Sequence, residues 1–178
     1  MELYQYNDGA LEPVSETNRL PVDLPEAPSD WHCIKLRVPR SSGATVYTAG
    51  DAYGDAFTLE GAVREGRPSL VRAIHVVDLT GQKAAINIHL FDLPITGTAD
   101  NAAWAVSDAD FRNSLGWLPM AATDYSDSSA AAVGTILAEW PIRSMDGTRV
   151  YGQIETTGTP TLAATNEDLY LIVWVQYL

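Results

Sequence analysis

Apolar and polar residues alternate in short runs from residue 31 onward, which predicts a chain built of β-strands. In the segment 34–38, three apolar residues alternate with Lys35 and Arg37 before Pro39 ends the run. Such an alternation places one face of a strand in a core and leaves the other face polar. Comparable runs predict further strands at 45–48, 56–59, 70–79, 86–91, 116–120, 133–141, 149–156 and 169–177.

Two of these runs are expected to be neighbours in one sheet. The strands at 70–79 and 86–91 are close in sequence and are joined through Thr80–Lys83, which contains a glycine. We therefore predict an antiparallel pair, in which His75 and His89 can share one face.

One short helix is predicted near residues 108–114. Ser107 is a favourable N-cap, and Asp108 and Asp110 follow it in the first turn, where the helix dipole favours negative charge. Gly116 is expected to end the helix.

Many short strands separated by turn residues are typical of a sandwich or barrel. Asp-Gly at residues 146–147 predicts a tight turn. The run at 169–177 carries no charged residue, which predicts a central position in a sheet or a covering partner. We predict an all-β fold: an antiparallel, jelly-roll-like β-sandwich over residues 31–178, with one short helix and an extended N-terminal arm.

Residues 1–30 form that arm and differ in composition from the rest. Four prolines and the lack of a sustained period predict an extended segment without a core of its own, with a disordered tail as the alternative. Seven acidic residues against Arg19 give −6, which is half of the net charge of −12. Apolar residues of the arm and of the last strand are the candidate protein-interface residues: Leu3, Tyr4, Tyr6, Leu11, Val14, Leu20, Trp174 and Tyr177.

The acidic balance narrows the possible partners. A pI near 4.4 disfavours direct binding to nucleic acid or to anionic lipid, and it favours solubility. No apolar stretch is long enough to span a bilayer, and the N-terminus lacks the pattern of a signal peptide. Cys33 is the single cysteine, so no intramolecular disulfide is possible, and we expect a half-buried, inert thiol.

The sequence predicts no catalytic, cofactor-binding or metal-binding residues. The three histidines fit no metal-ligand spacing, and the motifs of serine hydrolases, phosphate loops and dinucleotide-binding folds are missing from the sequence. Aspartates in polar loops, such as Asp51 and Asp124, are expected to stabilise turns, although a carboxylate pair could also serve a small hydrolase. Five tryptophans are either core and interface anchors or a platform for sugars: Trp31, Trp104, Trp117, Trp140 and Trp174.

About two-thirds of the chain resembles a group of small structural proteins of tailed bacteriophages and prophages. Four segments carry this resemblance: AGDAYGDAFTLEGAVR (49–64), VVDLTGQKAAINIHLFDLPIT (76–96), TADNAAWAVSDADF (98–111) and YGQIETTGTPTLAATNEDLYL (151–171). The resemblance implies a virion-borne β-sandwich and no known reaction.

The function that the resemblance implies is a non-enzymatic one. We expect a capsid decoration, cement or head-fibre-type protein that is assembled in the host cytoplasm into the virion. Its expected partners are the major capsid protein or other virion proteins and further copies of itself, without nucleic acid, membrane or cofactor. The arm and an apolar edge strand would link neighbours by strand addition or groove docking. The alternative is a carbohydrate-binding jelly-roll that recognises a host surface.

Overall fold

The computed structural model describes the backbone of residues 4–7, 10–13, 30–41, 46–128, 131–161 and 169–178, and the side chains of 30–41, 46–126, 131–161 and 169–178. These residues contain the following strands: β1 (Tyr4–Asn7), β2 (Ala10–Pro13), β3 (Trp31–Arg37), β4 (Ala52–Leu59), β5 (Ser69–Asp78), β6 (Ile86–Phe91), β7 (Ser114–Met120), β8 (Tyr125–Ser128), β9 (Ala131–Ile142), β10 (Val150–Thr156) and β11 (Leu169–Tyr177). One α-helix, α1 (Asp108–Phe111), and a 3₁₀ turn, Ala122–Asp124, complete the described elements. The predicted all-β class is confirmed.

The strands form two large open sheets in which every neighbouring pair is antiparallel. One sheet has five strands in the order β3-β11-β5-β9-β8, and the other has four in the order β4-β10-β6-β7. The inner faces of both sheets contribute to one hydrophobic cluster, with Ile34, Ile74 and Leu171 from the first sheet and Ile88 and Ile154 from the second. Burial of this apolar surface is the main stabilising contribution to the fold.

Four of the strand pairs are nested: the earlier a strand lies in the chain, the later its partner lies. β3 pairs with β11, β4 with β10, β5 with β9, and β6 with β7. These pairs are the ones that form when a chain folds into one long hairpin. Two further pairs, β11–β5 and β10–β6, join the arms of that hairpin into the two sheets.

The predicted pairing of β5 with β6 is wrong, because the two strands belong to different sheets. The connection after β5 is a tight turn: the Asp78 carboxylate accepts hydrogen bonds from the backbone N–H groups of Thr80 and Lys83, at 2.8 and 2.7 Å. Lys83 has a positive φ of 52°. This turn takes the chain to the other sheet instead of returning it beside β5, so His75 and His89 share no face.

The last strand, β11, lies inside the five-stranded sheet between β3 and β5, as its lack of charge predicts. The edge strands of that sheet are β3 and β8, so the apolar edge strand expected to link neighbours is not β11. The Asp-Gly turn at residues 146–147 is confirmed, with Gly147 at φ 65°, but it connects β9 and β10, which lie in different sheets.

The helix begins where the sequence predicts. The Ser107 side chain accepts a hydrogen bond from the N–H of Asp110 at 3.1 Å. The helix ends at Phe111, earlier than predicted, because the Asn113 carbonyl accepts from Asp92 and the chain then enters β7. Gly116 lies within that strand at φ 107° and does not end the helix.

Two further local predictions need correction. The expected strand at 45–48 is reduced, in its described part, to an isolated bridge between Val46 and Thr161. Cys33 is exposed and not half-buried, because it lies on the outward-facing side of β3.

The predicted N-terminal arm is described only in part. β1 and β2 pair with each other as a two-stranded antiparallel sheet, and the side chains of residues 1–29 lie outside the described residues. The extended arm therefore stays a prediction. The hydrophobic cluster draws its members from Ile34 to Val175, which lie within the predicted domain 31–178.

Candidate functional site

The outer face of the four-stranded sheet is covered in part by the chain itself. Along one rung, Gln153 of β10, His89 of β6 and Trp117 of β7 lie side by side. Gln153 and His89 are nevertheless buried, because the segment between β6 and α1 crosses over them. The Gln153 side-chain oxygen accepts from the N–H of Thr98 at 2.9 Å, and its amide donates to the carbonyl of Gly54 at 3.0 Å.

His89 is packed between aromatic rings on this covered face. Its ring stacks on Trp104 with the centroids 4.5 Å apart, and Trp117 lies tilted at 6.0 Å. Its Nε2 lies 3.1 Å from a carboxylate oxygen of Glu155, which also accepts from the Asn87 amide at 2.9 Å. Burial lowers the pKa of His89 below its usual range, and the neighbouring Glu155 opposes that shift only in part. A neutral histidine in this position stabilises packing.

A second buried polar cluster holds the same covering segment. Asp100 accepts hydrogen bonds from the hydroxyl of Tyr47 at 2.6 Å and from the N–H of Gly54 at 2.9 Å. The guanidinium of Arg40 donates to the Tyr47 hydroxyl at 3.0 Å and lies 3.9 Å from the second Asp100 oxygen. Burial, followed by the bond to Asp100, raises the pKa of Tyr47 far above its usual range. The cluster joins two connections, β3–β4 and β6–α1, to Gly54 of β4 and is structural.

The outer face of the five-stranded sheet, by contrast, leaves large apolar side chains in solvent. We call this surface the open face. Its residues alternate with inward-facing ones along β3, β11, β5 and β9, except at the bulge of β5, where Arg72 and Ala73 are consecutive. The strand pairing aligns them. They are Trp31, Cys33, Lys35, Arg37, Tyr170, Ile172, Trp174, Gln176, Arg72, Ala73, His75, Val77, Val133, Thr135, Leu137 and Glu139.

The centre of the open face is an apolar rung. Cys33, Trp174, Ala73 and Leu137 lie side by side across four strands, and the Leu137 side chain is 83% exposed. A contiguous apolar surface of this kind on a sheet is typical of a protein–protein contact. The open face is therefore the candidate interface of the described domain.

The charges on the open face have the opposite sign to those of the whole chain. Lys35, Arg37 and Arg72 are positive and Glu139 is negative, which gives +2 on this face against −12 for the protein. Arg72 bonds to Glu139 at 2.7 Å, and the Lys35 ammonium lies 5.6 Å from the ring centroid of Tyr170.

The structure separates the predicted interface residues into three groups. Trp174 lies in the central rung of the open face. Tyr177 contacts its own chain: its ring stacks on His32 at 5.9 Å, and its hydroxyl donates to the carbonyl of Gly61 at 2.7 Å. The arm residues have no described side chains: Leu3, Tyr4, Tyr6, Leu11, Val14 and Leu20.

Sequence reasoning missed the contribution of β9 to the open face. Val133 and Leu137 point outward, while Ala132 and Ile142 are buried. The signal was the sequence AAVGTILAEWPI, in which apolar residues occupy both faces of the strand, as expected when each face meets protein.

Asp51 and Asp124 serve turns, as predicted. Asp51 accepts from the N–H of Thr48 at 2.6 Å, and Asp124 accepts from the N–H of Ala121 at 2.8 Å. Across the described residues, no three His, Cys, Asp or Glu side chains are grouped so as to hold a metal ion. Nor does the described part contain a helix with the length and apolar character needed to cross a membrane.

A shallow groove lies at the free edge of β7. It has a volume of about 370 Å³ and is lined by Leu115, Gly116, Trp117, Leu118 and Trp140. The indole N–H of Trp140 is already bonded to the carbonyl of Leu115 at 3.1 Å. Trp117 is 54% exposed, so one of its ring faces is accessible from the groove side of the sheet.

No protein-family model matches the sequence, and no curated protein is significantly similar to it.

Proposed function

We propose that this protein is a non-enzymatic structural component of a virus particle. In this role it is a capsid decoration, cement or head-fibre-type protein that forms homo-oligomers and stabilises the particle through protein–protein contacts. The open face is the observation that carries the proposal. One sheet of the domain has its outer surface covered in part by the chain itself, whereas the outer surface of the other carries an exposed apolar rung at its centre.

The strand order supports a jelly-roll as the finer description of the fold. Eight strands pair in the order of one long hairpin whose arms are divided between two sheets, and β8 is added at one edge. Double-sheet jelly-rolls with eight strands recur in viral capsid and lectin domains. The topology thus suits a capsid-associated role, and it suits the carbohydrate-binding alternative as well.

The replacement Leu137→Glu tests the open face as the contact surface. Placing a carboxylate in the centre of an apolar interface is expected to weaken self-association by about 30-fold or more, since central interface residues contribute about 2 kcal/mol. Stability of the monomer should change little, because the side chain is 83% exposed. Analytical ultracentrifugation over a dilution series measures the effect.

The matched control is Met145→Glu. Met145 is also a large apolar side chain, 66% exposed, but it lies between β9 and β10, away from the open face. It should associate as the wild type does. Equal association constants for the wild type and Leu137→Glu would exclude the open face as the interface.

The place of the protein in a particle is tested by its copy number. Quantitative mass spectrometry of purified virus particles from the source is expected to find this chain in hundreds of copies, comparable to the major capsid protein. A handful of copies would indicate a location in the tail or portal instead. Particles that lack the chain would refute the virion role.

Carbohydrate recognition on a host surface is the second candidate function, and the exposed ring of Trp117 favours it. Sugar rings stack on such platforms, and the Glu155 carboxylate lies on the same face of the sheet. However, the ring of the neighbouring Trp104 is already stacked on His89, with the centroids 4.5 Å apart. Binding of a glycan would have to depend on Trp117, whereas association through the open face does not.

A further inference from the structure

We infer that the open face binds the N-terminal segment, residues 1–29, of a second copy of this chain. The inference rests on the proposed function and names the partner of the same surface. It makes the contact between copies an exchange of segments, in which each copy gives its own segment and receives that of a neighbour.

The charge of the open face argues against the simplest alternative, in which two open faces meet. A two-fold symmetric contact places the same surface of both copies together. Lys35 and Arg37 would then lie in one interface with their own counterparts, and like charges brought together oppose association. An acidic partner with apolar side chains fits this surface better.

The N-terminal segment has that composition. Residues 1–29 contain six acidic side chains against Arg19, which gives −5, in addition to tyrosines, leucines and valines. Its apolar residues can pack on the rung that contains Trp174 and Leu137. Its carboxylates have the charge opposite to that of Lys35 and Arg37. The prolines disfavour a helix and leave fewer N–H groups to satisfy, which suits a segment that lies on a face of side chains.

The segment leads directly into β3 and therefore starts beside the open face. β3 is the edge strand of the five-stranded sheet, and its first residue, Trp31, belongs to the open face. The sixteen residues from 14 to 29 reach about 50 Å when extended, at ~3.3 Å per residue. Five strands at ~4.8 Å are about 24 Å wide, so the segment can cross to a neighbouring copy.

In the described backbone, strand pairing does not attach the segment to the large sheets of its own chain. β1 and β2 pair only with each other, so the edge at β3 is not extended by them. Binding in a second copy also provides the link between copies that a cement protein requires.

A charge exchange in the full-length chain tests the inference. One variant reverses the charge of residues 11–20 from −1 to +3 (Glu12→Lys with Glu16→Lys). The other reverses the charge of the open face from +2 to −2 (Lys35→Glu with Arg37→Glu). Each alone is expected to self-associate about tenfold more weakly than the wild type. An equimolar mixture should recover wild-type association, because the basic stretch 11–20 of one variant meets the acidic face of the other and the unchanged segment meets the unchanged face.

The control makes the same change of charge at another part of the surface. Glu65→Lys with Asp108→Lys alters two exposed residues that lie outside both the segment and the open face, and it should associate as the wild type does. Sedimentation measures all four proteins and the mixture. A segment variant that associates normally, or a mixture no stronger than its components, overturns the inference.

The outcome for Leu137→Glu separates the two proposals. If that variant associates weakly while the segment variant is unaffected, the open face is an interface whose partner is not the segment. If neither change affects association, the proposed use of the open face fails as well.

Discussion

Replacement of Asp100 by alanine is expected to lower the free energy of unfolding by about 3–5 kcal/mol, because it removes one partner of a buried charge pair. The side chains of Asp100 and Arg40 are 0% and 1% exposed. The change leaves the guanidinium of Arg40 without this carboxylate, and it also removes the acceptor for the Tyr47 hydroxyl and the Gly54 N–H. Urea denaturation followed by circular dichroism measures the loss.

Two comparisons separate the charge from other effects of this substitution. Asp100→Asn keeps one oxygen to accept the bond from Tyr47, so its cost should be smaller, about 1–3 kcal/mol. Asp108→Ala makes the same change at an exposed position and should stay within about 0.5 kcal/mol of the wild type. A loss for Asp100→Ala no larger than that for Asp108→Ala would show that the cluster contributes little to stability.

The sequence predicts the strands of this fold well because their signal is local. Alternation of Ile34, Leu36 and Val38 with charged residues depends only on neighbouring positions, and so does the N-cap at Ser107. The sheet to which each strand belongs is a property of the whole chain. β5 and β6 are close in sequence, but their pairing partners, β11 and β10, lie much later in the chain.

The candidate site was predicted in part for the same reason. Trp174 could be named because its strand carries no charge, but Leu137 could not, since its strand gives no local sign of which side faces the core. The cluster around Asp100 was also missed. Arg40 and Tyr47 lie in the connection between β3 and β4, and Asp100 lies in the segment between β6 and α1. The tertiary fold is needed to bring Asp100 to the other two.

The buried clusters and the open face are connected through one segment. Asp100 and Gln153 hold the chain between β6 and α1 across the four-stranded sheet. That segment covers Gln153 and His89 within the monomer, whereas Trp174 and Leu137 of the five-stranded sheet are exposed.

Gly54 is the point at which these clusters meet. Its N–H donates to Asp100, and its carbonyl accepts from Gln153. Its φ is 79°, in the left-handed region. A methyl group on this residue would lie 2.8 Å from Cγ1 of Val38 and closer still to the carbonyl oxygen of Pro39, which also accepts the N–H of Asp55. A backbone carbonyl held in this way cannot move aside without breaking that bond.

Gly54→Ala is therefore expected to lower the free energy of unfolding by about 3–5 kcal/mol, from the strain of a positive φ together with overpacking. Gly66→Ala is the matched control, because its φ of 71° is similar and nothing lies within 4 Å of the added carbon. It should cost about 1 kcal/mol. Both variants lower the entropy of the unfolded chain equally, so this effect cancels in the comparison. At equal slope, the difference in urea midpoint therefore measures the close approach of the added methyl group to Val38 and Pro39. Equal midpoints would mean that the loops move apart at little cost, and that the segment covering the four-stranded sheet is not fixed through Gly54.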